Sequence, residues 1–181
     1  ETSIFKLDTG FAVVRCEMSG RRGRVEMGRA RIGAEDMPSP ASLRRLAGTL
    51  DPPSPVICAV DVGNPHAVLF VDTQPEETPW RAWGSQIETN EIFPSRTNVQ
   101  VACVNESQAV DIRIWERGAG PTLASGSSSC AVVAAGVHTG AHGSADLGLG
   151  IHLLCERAQA SERDEAPVLR FQSGLRKGAN A

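Results

Sequence analysis

E-R-G-A-G-P-T-L-A-S-G-S-S-S-C-A-V-V-A-A-G, residues 116–136, joins an acid–base pair to a Gly/Ser-rich loop and the loop to a small apolar segment. The segment Ser127–His138 is predicted as a helix. It is small and apolar all round, a pattern that belongs in the centre of a domain rather than on its surface. A Gly/Ser-rich turn entering such a helix exposes free backbone N–H groups at the positive end of the helix dipole. That end suits a carboxylate or a phosphate. The plainer alternative is a flexible turn with an N-cap, and the loop alone does not choose between them. It is not a P-loop, because the Gly-Lys-Ser/Thr ending is absent, and no G-x-S-x-G frame surrounds Ser125.

Upstream, Ala109–Arg117 alternates as a strand should. Val110, Ile112 and Ile114 point one way; Asp111, Arg113 and Trp115 point the other. It pairs with Asn98–Val104 around the Asn105–Gln108 turn. Val56–Val62 reads as a buried strand, broken at Gly63-Asn64-Pro65, with His66–Asp72 extended again. Pro38–Leu50 and Trp80–Glu88 read as helices, the first capped by Ser39 or Ser42. Ser3–Met18 and Arg24–Ile32 read as strands about a Gly20–Gly23 turn. After Gly140 the pattern weakens, with Ile151–Cys155 and Val168–Phe171 as candidate strands. The chain opens without Met in what reads as the middle of a strand, so further sequence upstream is expected.

The 181 residues suit one domain or a tight pair, and 41% hydrophobic residues can bury a core. Net charge is -3, which invites no nucleic acid, and 4% aromatics with no Tyr offer few stacking platforms. No segment reaches transmembrane length and no signal peptide is seen, so a cytoplasmic location is expected. The five cysteines are scattered without C-x-x-C, and read as free buried thiols. His138 with His142, and His152 with Cys155, have half-site spacings. Gly140 and Gly143 argue against a stiff helix there, and no metal site is expected.

Three short motifs carry chemistry. Asn64 could donate to a carboxylate, and His66 could move a proton near neutral pH; an ordinary Asn-Pro turn is the alternative. Glu116 and Arg117 end a strand and face opposite sides, so one can meet a ligand while the other supports the structure; a solvated pair is the alternative. Ser125 opens the helix.

In order, the chain has Gly63-Asn64-Pro65-His66-Ala67-Val68, then Phe93-Pro94-Ser95-Arg96-Thr97-Asn98-Val99, then Glu116-Arg117-Gly118-Ala119-Gly120-x-Thr122-x-Ala124-Ser125-Gly126. Together with Arg24–Gly28, this resembles the diaminopimelate epimerase family of cofactor-independent amino-acid racemases, over about Ile4 to Gly136. The resemblance implies an α+β fold, with a curved, mostly antiparallel sheet wrapped around a central apolar helix near 127–138. It implies that residues 1–36 are linking strands from an incomplete first half and that 37–181 form the second domain. It implies two cysteines on opposite faces of the substrate α-carbon, no pyridoxal or other cofactor, and loop amides that hold the α-carboxylate. Asn64, Asn98, Glu116, Arg117, Gly126 and Ser127 would bind substrate, and Ser125, His66 and Glu116 would serve proton transfer.

Three departures stand out. The family's second-half thiol falls on Ser125, with Cys130 one helical turn on. The Cys-Gly-Asn-Gly loop of the first half is not in this chain. The family's closing Pro-Gly-Gly and Thr-Gly-Pro turns are not recognisable after Gly140. A thiol titrates near 8.5 and a helix N-terminus lowers it; a serine needs a base beside it, and His66 is the expected one. The resulting expectation is an isomerase that interconverts LL- and meso-diaminopimelate in lysine biosynthesis. Its partners are a small amino-acid substrate, no nucleic acid and no membrane, with a homodimer admitted. Two alternatives stay open: a non-catalytic amino-acid-binding relative or fragment, and an isomerase or dehydratase on the same fold that uses Ser125.

Overall fold

The computed structural model describes residues 2–8, 13–20, 22–52, 56–105 and 110–140. It is a mixed α+β structure with two sheets and three α-helices. A three-stranded antiparallel sheet comes first: β1 (Thr2–Asp8), β2 (Val13–Ser19) and β3 (Arg22–Val25). The extended run Ser3–Met18 is therefore a hairpin rather than one strand, with Asp8 opposite Val13. The strand expected to reach Ile32 stops at Val25. Gly28 takes φ 82°, a left-handed conformation that leaves the ladder, and only Arg31 returns to extended pairing, in a bridge to Asp61. An ion pair of Arg31 with Asp61 at 3.1 Å reinforces that bridge.

The larger sheet has the order β4 (Ile57–Asp61), β5 (Pro65–Phe70), β6 (Asn98–Val104), β7 (Val110–Glu116) and β8 (Gly120–Thr122). Only β5 and β6 run parallel; the other three pairings are antiparallel. A parallel pair needs a crossover. Here a single 3-10 turn (Pro75–Glu77) and α2 (Trp80–Glu88) supply it. Helix α1 (Pro40–Gly48) precedes β4; Ser39 is its N-cap, accepting from the Ser42 amide at 3.1 Å. Helix α3 (Gly126–Thr139) follows β8, and Gly140 ends it in the left-handed conformation.

The alternation along each strand sorts the core into two layers. Ile57, Ala59, Ala67, Leu69, Val99 and Val101 pack with Leu43 and Leu46 of α1 and Trp80, Trp83 and Ile87 of α2. Cys58, Val60, Val68, Ala102, Val110, Ile112 and Ile114 pack with Cys130, Ala131, Val132, Ala134 and Ala135 of α3. Burying one such Leu, Ile or Val is worth roughly 1.5–3 kcal/mol, so both layers matter. Helix α3 is buried from Ser128 to Gly136, except the half-buried Val133. Its small side chains let it lie close to the sheet. None of the described helices is long and apolar enough to cross a membrane. The candidate strands after Gly140 and the tail lie outside the described residues.

Gly84 tests the packing of α2 on β7. A Cβ there would lie 2.6 Å from Cγ and 2.7 Å from Cβ of Trp115. In an open helix, Gly to Ala would gain up to about 1 kcal/mol. At this site Gly84→Ala should instead cost about 1–3 kcal/mol in urea unfolding, the usual range for overpacking. A stabilised variant would show that Trp115 gives way freely.

Candidate functional site

Strand register builds the site. His66 is the Cα partner of Asn98, and Val99 that of Trp115, so Asn98 faces Glu116 one step further on. Partners across a ladder point to the same side. His66, Asn98 and Glu116 therefore form one row across three neighbouring strands, on the side covered by α3. The row sits at the end of the sheet where β5 and β6 begin and β7 finishes. On β8, Thr122 donates to the Glu116 carboxylate at 3.1 Å and so fixes that acid. Arg117, the first residue of the turn after β7, donates from its guanidinium to the Ser95 carbonyl at 2.9 Å.

Asn98 is 4% exposed and braces the row. Its amide N donates to the Pro65 carbonyl at 3.0 Å, and its amide O accepts from the Arg117 amide at 2.9 Å. One further donor and one acceptor lone pair remain for another partner.

His66 is 1% exposed and stands between two amides. Its Nε2 lies 2.9 Å from Asn64 Oδ1 and its Nδ1 lies 3.3 Å from Gln100 Oε1. Burial drives the pKa down to about 4; the Gln100 bond and Asp61 oppose this, and Arg117 adds to it. At neutral pH the ring thus carries one proton. Only one contact is then an N–H···O bond, and the other is completed when the facing amide turns its NH2 to the ring.

Gln100 carries the chain of bonds to α3. It is fully buried, and its Nε2 donates to Ser128 Oγ at 3.0 Å. The Ser128 amide in turn donates to Ser125 Oγ at 3.4 Å, the N-cap bond of α3. Ser125 Oγ also lies 3.3 Å from Ser127 Oγ. Sequence reading put His66 beside Ser125 as a base; among the described residues the hydrogen bonds that link them run through Gln100 and Ser128. An amide link such as Gln100 orients groups rather than passing protons freely. The Ser129 amide bonds the Ser125 carbonyl. Among the described residues, this leaves the N–H groups of Gly126 and Ser127 with no protein acceptor, at the positive end of α3. Cys130 is packed in the core, and burial pushes its thiol up, away from the reactive range.

Three contributors escaped the sequence reading. Gln100 is the lone polar residue in Val99–Val104, two positions from Asn98 and so on the same face; a polar side chain in a buried strand calls for a partner. Ser128 supplies that partner. Glu88 is 4% exposed and accepts from the Trp115 indole and the Gly118 amide, both at 2.7 Å. It follows Trp80 and Gly84 at intervals of four, which put it on the packed face of α2. Elsewhere, a groove of about 550 Å³ is lined by Leu43, Arg44, Ala47, Ile57 and His138 among others. Its lining is mostly apolar and includes none of the site residues. Among the described residues, no group of three or more His, Cys, Asp and Glu is placed to hold a metal ion.

The diaminopimelate epimerase family model matches residues 58–169. The match runs beyond Gly140, over a stretch where no family motif was legible. Among curated relatives, the diaminopimelate epimerase of Bartonella henselae is 34% identical over 148 residues, 76% of this chain and 50% of the relative. That of Methylorubrum populi is 35% identical over 145 residues, 75% of this chain and 48% of the relative. That of Pelotomaculum thermopropionicum is 41% identical over 120 residues, 65% of this chain and 42% of the relative. The chain spans about half the length of the curated relatives it matches.

The buried ring of His66 makes a pH prediction. Its folded pKa lies below the unfolded value near 6.5, so folding prefers the neutral form. The stability this contributes is full above pH 6.5 and is lost as pH falls towards 4, by up to about 3 kcal/mol. Urea unfolding between pH 7 and 4 should show that loss in the wild type, and a shallower slope in His66→Gln. Equal slopes would mean that the ring is not held neutral.

Proposed function

The chain belongs to the diaminopimelate epimerase family, and on that premise we propose that it is the second half of a cofactor-independent amino-acid isomerase. The reaction is interconversion of LL- and meso-diaminopimelate by transfer of the α-proton, a step of lysine biosynthesis in the cytoplasm. The unit proposed for this work is residues 37–181, with 1–36 as the link to a first half. In it α3 is the central helix about which the sheet curves, a reading supported by its burial from Ser128 to Gly136.

The observation that carries the proposal is the union of the polar row with the start of α3. Asn64, His66, Gln100, Ser128 and Ser125 form one run of polar contacts, and Asn98 and Glu116 share the row of His66. An α-carboxylate placed over Gly126 and Ser127 would meet two N–H groups and the helix dipole. These same groups would stabilise the enolate-like charge that forms when the α-proton leaves. Glu116, held by Thr122, is the acceptor for the α-ammonium. Asn64 and Arg117 supply donors for carboxylate oxygens.

Ser125 stands where the family's resemblance places a thiol. As a hydroxyl at the helix start it can donate a proton or relay one, but among the described residues its side-chain bonds are to Ser127 and the Ser128 amide and not to a base. His66 acts by holding Asn64 and Gln100, and through Gln100 and Ser128 it aligns the start of α3. Proton transfer on this face is therefore slower than with a thiol, whose pKa the helix N-terminus lowers.

The test is deuterium uptake at the α-carbon of LL- and meso-diaminopimelate in heavy water. Ser125→Cys should exchange faster than the wild type, by about tenfold or more, as thiolate replaces alcohol. Binding without exchange in either protein would leave an amino-acid-binding relative and end the isomerase reading. Asn64→Ala and Arg117→Ala should each weaken binding of meso-diaminopimelate by roughly tenfold, the cost of one unmatched bond to a charged group. Unchanged affinity in calorimetry for both variants would remove the site from this end of the sheet.

A further inference from the structure

Glu88, the last residue of α2, is a buried carboxylate to which the proposed reaction gives no role. One oxygen accepts from the Trp115 indole at 2.7 Å. The other accepts from the Gly118 amide at 2.7 Å and pairs with the Arg96 guanidinium at 2.8 Å. Its main-chain carbonyl accepts from the Thr97 amide at 3.3 Å. A buried charge is costly, and a well-packed apolar side chain is often as stable or more so. Core packing alone does not account for an acid here.

What the acid does gain is control of two loops that meet at Arg117. The Arg117 amide is held by Asn98, and the next amide, that of Gly118, by Glu88. Gly118 has φ 78°, and the Ala119 amide closes the turn on the Glu116 carbonyl at 3.0 Å. The Arg117 guanidinium rests on the Ser95 carbonyl. The next residue, Arg96, has φ 59°, uncommon for a residue with a side chain, and its guanidinium is tied to Glu88. One carboxylate thus fixes both the main chain that carries Arg117 and the loop that receives its guanidinium.

We propose that Glu88 is a positioning residue: it sets the turn after β7 and the 93–97 loop so that Arg117 presents its guanidinium to a substrate carboxylate. The inference rests on the reading of Arg117 as a substrate contact. Glutamine at this position has one oxygen for two N–H donors, turns its own NH2 towards a donor, and loses the charge that holds Arg96.

The full chain is tested in two ways. The first needs no ligand. Hydrogen exchange at the Gly118 amide should speed up about tenfold or more in Glu88→Gln, as expected for loss of a bond to a charged group, while Val99 and Val101 keep wild-type rates. Unchanged exchange at Gly118 overturns the proposal, and so does an equal rise in β6, which marks general destabilisation. The second measures affinity for meso-diaminopimelate. Glu88→Gln should weaken it about tenfold, and should add less than about twofold in an Arg117→Ala background. Fully additive losses overturn the proposal. Absence of binding to the wild type ends the functional reading instead, and leaves the exchange result to decide whether Glu88 holds the turn. Should Glu88→Gln not fold, acid titration of the wild type decides. Burial alone would raise the Glu88 carboxyl, but the Trp115 and Gly118 bonds and the charges of Arg96 and Arg117 outweigh it and hold it below the usual carboxylate range. The Gly118 amide and Trp115 indole proton signals should then move together below pH 4.3, the ordinary value; separate movement overturns the proposal.

Discussion

One amide holds the site end of the sheet together. Asn98 donates to the carbonyl at the start of β5 and accepts from the amide at the end of β7, so three strand ends are fixed by one buried side chain. Backbone groups at strand ends lack ladder partners and are costly when buried. Asn98 meets that need, and in doing so sets the spacing between His66 on one side and Glu116 and Arg117 on the other. Any ligand chemistry at this end of the sheet inherits that spacing.

The second constraint is how polar atoms are carried into an apolar layer. Between β5, β6 and α3 the structure admits His66, Gln100 and Ser128, and satisfies them with one another. A buried polar group without a partner costs about 1–3 kcal/mol, so a chain of this length stands or falls as a unit. This linkage is why the start of α3 has one position relative to the sheet. A helix held only by Ala, Val and Cys contacts could slide; one bonded through Ser128 cannot do so without stranding Gln100.

Much of the larger sheet could be read from the chain, because its signals are local and strong. Trp80–Glu88 has the helical spacing and is helix α2; Asn98–Val104 and the alternation of Val110, Ile112 and Ile114 became β6 and β7. The apolar segment after Ser125 became α3. Where reading failed, the cause was non-local. The first strand proved to be a hairpin, since Leu7 and Val14 alternate equally well in one strand or two. Strand β8 was hidden in the loop because three residues give no period. The motif residues Asn64, Asn98, Glu116 and Arg117 were picked out as short patterns, but their neighbours were not. Gln100 is a single polar residue in an apolar strand, Ser128 is one of three successive serines and Glu88 is one of several polar residues around Ile87, and their meaning lies in partners 28 to 30 positions away. For the same reason the chain gives no hint that the bonds linking His66 to Ser125 run through Gln100 and Ser128.

The central claim is that an amino acid lies at this end of the sheet, with a carboxylate over the first amides of α3. Amide chemical-shift mapping of the wild-type chain with meso-diaminopimelate tests it most directly. The account predicts saturable shifts at Gly126 and Ser127, accompanied by Asn64, Arg117 and Gly118. Shifts confined to the groove of Leu43, Arg44 and Ile57, or none at saturating ligand, would contradict it.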